Sequence, residues 1–358
     1  MRMTFVLPGR STRYPIGGYK VVYEYANGLV KRNHEVNVIH PLLAYPEKAD
    51  YKDKLRMYCK WAASFFLGTP KIKWFDISPK VKMLSIPTPE EKYIPPADVI
   101  IATAWETAEW VSKYGTDKGE KFYLIQHYEN WSGSEDRILA TWKKPLKKIV
   151  IAHWLEEIAH KIGEDDVAYI PNGINFNHFS IITPIAERDR QKVGMLYSHA
   201  NWKGSKEGIA ALEMAKKKVP DLKAVFFSTS PKGPEVPTWI EFYQNPSPNN
   251  LLEIYNSCGI FISPSWYEGW CLPSAEAMAC GCALATTDSL GVREYAFNEK
   301  TALISAPKNP EELARNIIRL IQDNNLRISL AESGHRFIQN FTWEKAVNEF
   351  EKTISDQK

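Results

Sequence analysis

The chain has 358 residues, 44% hydrophobic and 24% charged, with 45 basic against 42 acidic side chains and a formal charge of +3. That length predicts two domains rather than one small binding module. The composition excludes a disordered or collagen-like chain, and the near balance of charge speaks against a nucleic-acid binder. Five cysteines, at 59, 258, 271, 280 and 282, form no CxxC pair. A disulfide framework or zinc site therefore fits poorly, and a reducing, cytoplasmic setting is expected. The aromatic load is 12 Trp, 17 Tyr and 15 Phe.

Met3 to Leu7 reads as a first strand, and the loop 8–18 runs into a helix with Val22, Tyr25, Ala26 and Leu29 at helical spacing. Glu35 to His40 is the next strand. The segment 50–66 sets Leu55, Tyr58, Cys59, Ala62 and Phe66 on one helical face and Lys52, Arg56 and Lys60 on another. It reads either as a helix packed on its own sheet or as a basic amphipathic helix on an anionic membrane. Residues 1–171 hold 25 basic and 21 acidic side chains against 20 and 21 in the remainder, so the excess lies in the first domain. Further strands are expected at 98–103, 122–126 and 148–152.

The pattern then restarts, with strands at 193–197, 224–228, 240–243, 259–263 and 283–286 and helices at about 205–218, 248–256, 273–280 and 310–322. PNGINFNHF at 171–179 and the polar stretch to Gln191 read as turn and linker. The expected class is α/β, with doubly wound parallel sheets in a first domain (1–171) and a second (190–340) facing one another across a cleft. A last helix over 341–358, capped by Thr342 and apolar at Trp343, Val347 and Phe350, is expected to pack back on the first domain. The apolar run before Pro8 is too short for a signal core, and no stretch reaches about 18 apolar residues.

The most informative stretch is SPSWYEGWCLPSAEAMACGCALATTD at 263–288. A strand ends at Ser263, a loop holds Glu268, Pro273 opens a helix with Glu276 in its first turn, and Gly281 closes it. Such a helix N-terminus binds phosphate without a metal, because its N–H groups lack partners and carry partial positive charge. A carboxylate at Glu276 accepts hydrogen bonds from a ribose diol, leaving Glu268 to face whatever the phosphate carries. On geometry alone, a helix-dipole acid and a solvated loop acid fit equally well. The stretch resembles the nucleotide-sugar signature of the retaining glycosyltransferase family 4, in which seven residues separate two Glu within an EGxGLPxxEAMAxG pattern.

The resemblance extends to IGGYKVVYEYANGLVKRNHEVNVI at 16–39, IPNGINFNHF at 170–179 and YSHANWKGSKEGIAAL at 197–212. It implies a GT-B fold of two Rossmann-like domains. It also implies retaining transfer of a hexosyl or deoxyhexosyl group from a nucleotide-diphosphate sugar to a glycan or lipid-linked acceptor, in polysaccharide or glycoconjugate biosynthesis, without metal or other cofactor. Under it, Glu276 holds the donor ribose, Glu268 the donor sugar hydroxyls, and Lys203 the leaving diphosphate. Gly17 and Gly18 let the backbone approach that diphosphate. Gly269, Trp270, Cys271 and Leu272 complete the donor loop, with Trp270 and Cys271 where the family has an aromatic and Gly. His127, ending a predicted strand, is similar to the family's first-domain histidine, and Tyr128, Glu129 and Trp131 beside it read as an acceptor wall or as a packed corner.

One departure stands out. The family's Arg ahead of the Lys is absent, and Tyr197, Ser198 and His199 stand there, leaving the second positive charge to His199, Lys206 or another basic residue. Tyr243, in IEFYQNP at 240–246, is the candidate base contact. The rival readings are a sugar-nucleotide 2-epimerase, an inverting transferase, which would carry a His just after the first strand, and a non-catalytic nucleotide-sugar-binding protein.

Overall fold

A computed structural model describes residues 1–45, 48–67 and 71–355, which divide into two units: Met1–Asn172 with Trp343–Lys358, and Gly173–Thr342. In the first unit the strands are β1 (Arg2–Val6), β2 (Glu35–Pro41), β3 (Lys82–Ile86), β4 (Val99–Ala102), β5 (Glu120–Ile125), β6 (Lys147–Val150) and β7 (Val167–Tyr169). They form one parallel sheet in the order β3-β2-β1-β4-β5-β6-β7. Helices α1 (Gly17–Lys31), α2 (Tyr51–Leu67), α3 (Trp105–Val111), α4 (Glu135–Trp142) and α5 (His153–Lys161) alternate with them. Central strands covered on both faces become unbroken apolar runs, and VIIA of β4 is buried throughout. The edge strands β3 and β7 lack that signal: KMLSI is only partly buried and β7 has three residues.

β1 bonds to β2 on one side and β4 on the other. Their following loops diverge there, opening a crevice at the C-terminal edge of the sheet. α2 forms as expected, yet Met57 is its one fully buried side chain among those described. Leu55 and Tyr58 are 51% and 43% exposed, and Cys59, Ala62, Lys52, Arg56 and Lys60 also face solvent. The expected apolar face is therefore not packed on the sheet; the side chain of Phe66 lies outside the described residues.

In the second unit β8 (Lys192–Leu196), β9 (Lys223–Ser228), β10 (Ile240–Gln244), β11 (Ile260–Ser263), β12 (Ala283–Thr287) and β13 (Ala302–Ser305) form a parallel sheet in the order β10-β9-β8-β11-β12-β13. Its helices are α6 (Ser205–Lys218), α7 (Pro248–Ser257), α8 (Leu272–Ala279), α9 (Pro310–Gln322) and α10 (Asn324–Ile338). Val193, Met195, Ile260, Ile262 and Ala285 from the strands bury against Leu212, Ala215, Leu313 and Ile317 from the helices. The switch of direction falls between β8 and β11, so the loops 197–204 and 264–271 flank the crevice.

The stretch read as a polar linker is fastened to this unit. Arg188 is 5% exposed and donates to Thr183 O, to Asn256 Oδ1 and to the carbonyl of Cys280. Cys280 and Cys282 fill the same corner, where burial pushes both thiols up, Cys282 to about 11. The last helix, α11 (Trp343–Ser355), belongs to the first unit. Phe350 lies 4.7 Å from Tyr25 and 5.9 Å from Phe5 between ring centroids. Glu351 pairs with His34 Nε2 at 2.6 Å and Arg32 Nη1 at 3.0 Å.

Candidate donor site and first-unit histidine

Gly204 follows Lys203 with φ +64°, and a Cβ there would stand 2.0 Å from Pro264 O. Only glycine allows the β8 loop to close this far onto the β11 loop. The approach joins two side chains 65 positions apart: Lys203 Nζ donates to Glu268 Oε1 at 2.8 Å and Oε2 at 2.9 Å. Ser265 Oγ donates to Oε1 at 2.7 Å, and the Glu268 N–H is held by Ser289 O at 2.8 Å. Burial works against the Lys203 charge, but Glu268 and then Cys271 outweigh it and hold the amine above its ordinary range. The space among Leu196, Lys203, Ser265, Glu268, Cys271 and Pro273 is about 10 Å³, at the lower limit for a single water.

α8 begins beside this pair. Cys271, its N-cap, has φ +60°, a left-handed conformation that a glycine adopts without strain and a cysteine does not. Its Sγ rests 3.1 Å from Ser274 Oγ and 3.6 Å from Ser263 Oγ. Leu272 and Pro273 are the first helical residues, and the N–H groups of Leu272 and Ser274 are those a helix leaves without an internal acceptor. At the far end Gly281, φ +84°, closes the helix in a Schellman motif: Cys282 N donates to Ala277 O and Gly281 N to Met278 O, both at 2.9 Å.

Glu276 corrects the sequence reading in one respect. It stands in the second turn of α8 and not the first, because the helix starts at Leu272. It is buried at 5% exposure, and Tyr255 Oη donates to its Oε2 at 3.2 Å. Tyr255, at the end of α7, was not anticipated; nothing in the local sequence links it to a helix beginning across β11.

Trp270 is a clear correction. Its ring is 2% exposed and packs on Tyr295 and Phe341, with centroids at 5.0 and 5.5 Å, so it is core and offers no surface to a sugar. Tyr295 Oη donates to the carbonyls of Trp270 and Cys271 at 3.0 and 2.7 Å, clamping the 264–271 loop from behind. Gly269 lies against Gly291, where a Cβ would meet Gly269 O at 2.4 Å. His199 spans two loops, with Nε2 donating to Pro231 O at 3.2 Å and Nδ1 3.1 Å from Tyr197 Oη, which also bonds Glu235. Lys206 is exposed on α6. Tyr243, 37% exposed on edge strand β10, donates to Glu241.

In the first unit Gly17 and Gly18 open α1, whose N-cap Ile16 supplies no side-chain acceptor. A Cβ on Gly17 would meet nothing within 4 Å; one on Gly18 would touch the Gln126 carboxamide at 3.4 Å. Gln126 was missed by the sequence reading, and its Oε1 is buried without a hydrogen-bond partner among the described residues. His127 Nδ1 accepts from the N–H of Tyr128 at 2.8 Å and of Glu129 at 3.3 Å. The proton of the neutral ring is therefore on Nε2, which makes the side chain a donor there. Trp131 stands edge-on to it at 4.4 Å and is 42% exposed.

Of Tyr128, Glu129 and Trp131, read as an acceptor wall or a packed corner, the first two are engaged by neighbouring residues. Tyr128 Oη is tied to Glu135 at 2.7 Å. Glu129, at φ +57°, turns its carboxyl to the head of α3 and accepts from Trp105 N at 2.9 Å. Burial raises its pKa to about 8, opposed by the Trp105 N–H and assisted by Glu106.

Residues 185–337 match the family described as Glycosyl transferases group 1. An uncharacterized glycosyltransferase of Methanocaldococcus jannaschii is 31% identical over 108 residues, which is 30% of this chain and 31% of that one. The chain's matches span about a third or less of the length of such curated relatives. Among solved structures, the sucrose-phosphate synthase of Thermosynechococcus elongatus superposes with a TM-score of 0.75 at 15% identity, covering 99% of this chain and 98% of that one. HepE of Anabaena, in complex with UDP and glucose, does so at 0.72 and 14%, covering 99% and 100%. With two parallel-sheet α/β units and these structural neighbours, the chain has the GT-B fold, and its second unit carries a glycosyl transferases group 1 domain.

Proposed function

We propose that the protein is a retaining glycosyltransferase that moves a hexosyl or deoxyhexosyl group from a nucleotide-diphosphate sugar to a hydroxyl of a glycan or lipid-linked acceptor. One observation carries this reading: Lys203, Glu268 and the start of α8 converge at the switch point of the second sheet, with Glu276 buried one turn into that helix. In this reading the diphosphate takes the α8 N-terminus and Lys203, Glu276 accepts from the ribose, and Glu268 accepts from the sugar hydroxyls. The bond from the anomeric carbon to the phosphate oxygen breaks as the acceptor oxygen adds on the same face, and the departing phosphate oxygen takes the acceptor proton. Lys203 and the helix N–H groups stabilise the charge that develops, the role a divalent cation plays elsewhere. Gly17 and Gly18 are assigned to the diphosphate and His127 to a hydrogen bond donated from Nε2.

UDP is the first donor nucleotide to test, since HepE was solved with it. For the acceptor, the exposed Leu55 and Tyr58 with Lys52, Arg56 and Lys60 on α2 support contact with an anionic lipid surface. The deciding experiment is a screen of UDP-, GDP-, ADP- and dTDP-sugars with glycan and lipid-linked acceptors, with and without EDTA, reading the product anomer by NMR. A new glycoside of retained configuration formed in EDTA is expected. Isomerised donor without acceptor, or binding without transfer, would replace this reading by an epimerase or a binding protein. Liposome flotation with and without anionic lipid tests α2.

A further inference from the structure

The ion pair at the donor site poses a problem of competition. The amine assigned to the diphosphate is already engaged, bidentately, by the carboxylate assigned to the sugar. The Glu268 side chain is 9% and that of Lys203 26% exposed, and the cavity they help to line with Pro273 holds about 10 Å³. A phosphate approaching Lys203 meets a carboxylate of its own sign in a setting where water screens poorly. Glu268 in turn cannot simply leave, because a buried carboxylate stripped of its partner is strongly unfavourable. Ser265 Oγ offers it one hydrogen bond, which is not enough for two oxygens.

A sugar nucleotide resolves this and a free nucleoside diphosphate does not. The sugar brings hydroxyl donors that replace the amine at Glu268 while the diphosphate replaces the carboxylate at Lys203. We propose, building on the donor-site reading above, that Glu268 is a displaceable counter-ligand of Lys203 that makes the site prefer a nucleoside diphosphate sugar over the free nucleoside diphosphate. Once the sugar has been transferred, Glu268 loses its hydroxyl partners, returns to Lys203, and weakens the hold on the product. Ser265 is the positioning residue that keeps the carboxylate within reach of both arrangements.

The test is titration calorimetry of inorganic pyrophosphate, UDP and UDP-glucose into the wild-type protein, Glu268→Gln and Glu268→Ala. Both variants are expected to bind pyrophosphate and UDP about tenfold tighter than wild type. The ratio of UDP-glucose to UDP affinity is expected to fall by at least as much. Melting curves establish that each variant is folded, and if one is not, the other decides. Pyrophosphate and UDP affinities equal to or weaker than wild type in a folded variant overturn the counter-ligand role while leaving the donor site in place. Absence of binding of all three probes by wild type and variants overturns both.

Discussion

Tyr255 Oη donates to Glu276 Oε2 at 3.2 Å, and both residues are buried. A carboxylate held out of water by a phenol is aimed rather than solvated, and burial with the neighbouring Glu276 holds the phenol of Tyr255 well above its ordinary range. Replacing Glu276 by Ala is expected to lower donor affinity about 10- to 100-fold, the loss of a charge-assisted hydrogen bond of roughly 1.5 to 3 kcal/mol. Tyr255→Phe removes only the aiming bond, and a loss of about 3- to 10-fold is expected. Calorimetry with UDP distinguishes these, and an unchanged affinity in Glu276→Ala would remove the residue from the site.

In the proposed reaction Lys203 acts on charge that grows as the diphosphate departs. Lys203→Gln is expected to lower kcat about 10²- to 10³-fold, as removal of a preorganised stabilising group does. Gly204→Ala should reach the same end by another route, since its Cβ would collide with Pro264 O at 2.0 Å and force the loop carrying Lys203 away. Both variants should lose rate and melting temperature, since Lys203→Gln leaves the buried Glu268 carboxylate without its cation. Initial rates and melting temperature, measured together, separate the two: adding Glu268→Gln should restore the melting temperature but not the rate of Lys203→Gln, and should not rescue Gly204→Ala.

Glu129 makes the first unit's stability depend on pH with a definite sign. Its carboxyl titrates at about 8 in the fold against an ordinary 4.5. Between those values the folded chain holds a proton that the unfolded chain has released. The contribution is therefore intact below about pH 4.5 and declines as pH rises towards 8, by at most about 1.4 kcal/mol per pH unit. Urea unfolding of wild type and Glu129→Gln at pH 5, 6.5 and 8 should show a steeper decline in wild type; parallel curves would refute the assignment.

α11 is expected to be indispensable to the first unit. Phe350 is fully buried against Tyr25 and Phe5, and Phe350→Ala should cost about 3 to 5 kcal/mol. Glu351 is held below its usual range by His34 and then Arg32, but its side chain is 33% exposed, so Glu351→Gln should cost under about 1 kcal/mol. Chemical denaturation of the two variants reads the difference directly.

Much of the architecture was legible in the sequence. The covered strands announced themselves as apolar runs, and α6 and α9 fell where the periodicity placed them, because both signals are local. The edge strands β3 and β7 are only partly buried and lack such a signal, whereas β13, Ala302–Ser305, carries an apolar run as long as that of β11 and was overlooked. Over 263–281, Glu268, Pro273, Glu276 and Gly281 were recognisable because the strand, turn and helix that carry them are contiguous.

What the local chain could not settle were the inward turn of Trp270, the capping role of Glu129, and the exposure of the α2 face expected to find a partner. Nor could it pair Lys203 with Glu268, or Tyr255 with Glu276. The sequence by itself determined the residue types and their order along each turn. Which of them meet was decided by tertiary structure, because β8 and β11 lie side by side at the switch point, and that adjacency is a property of the whole sheet rather than of either segment.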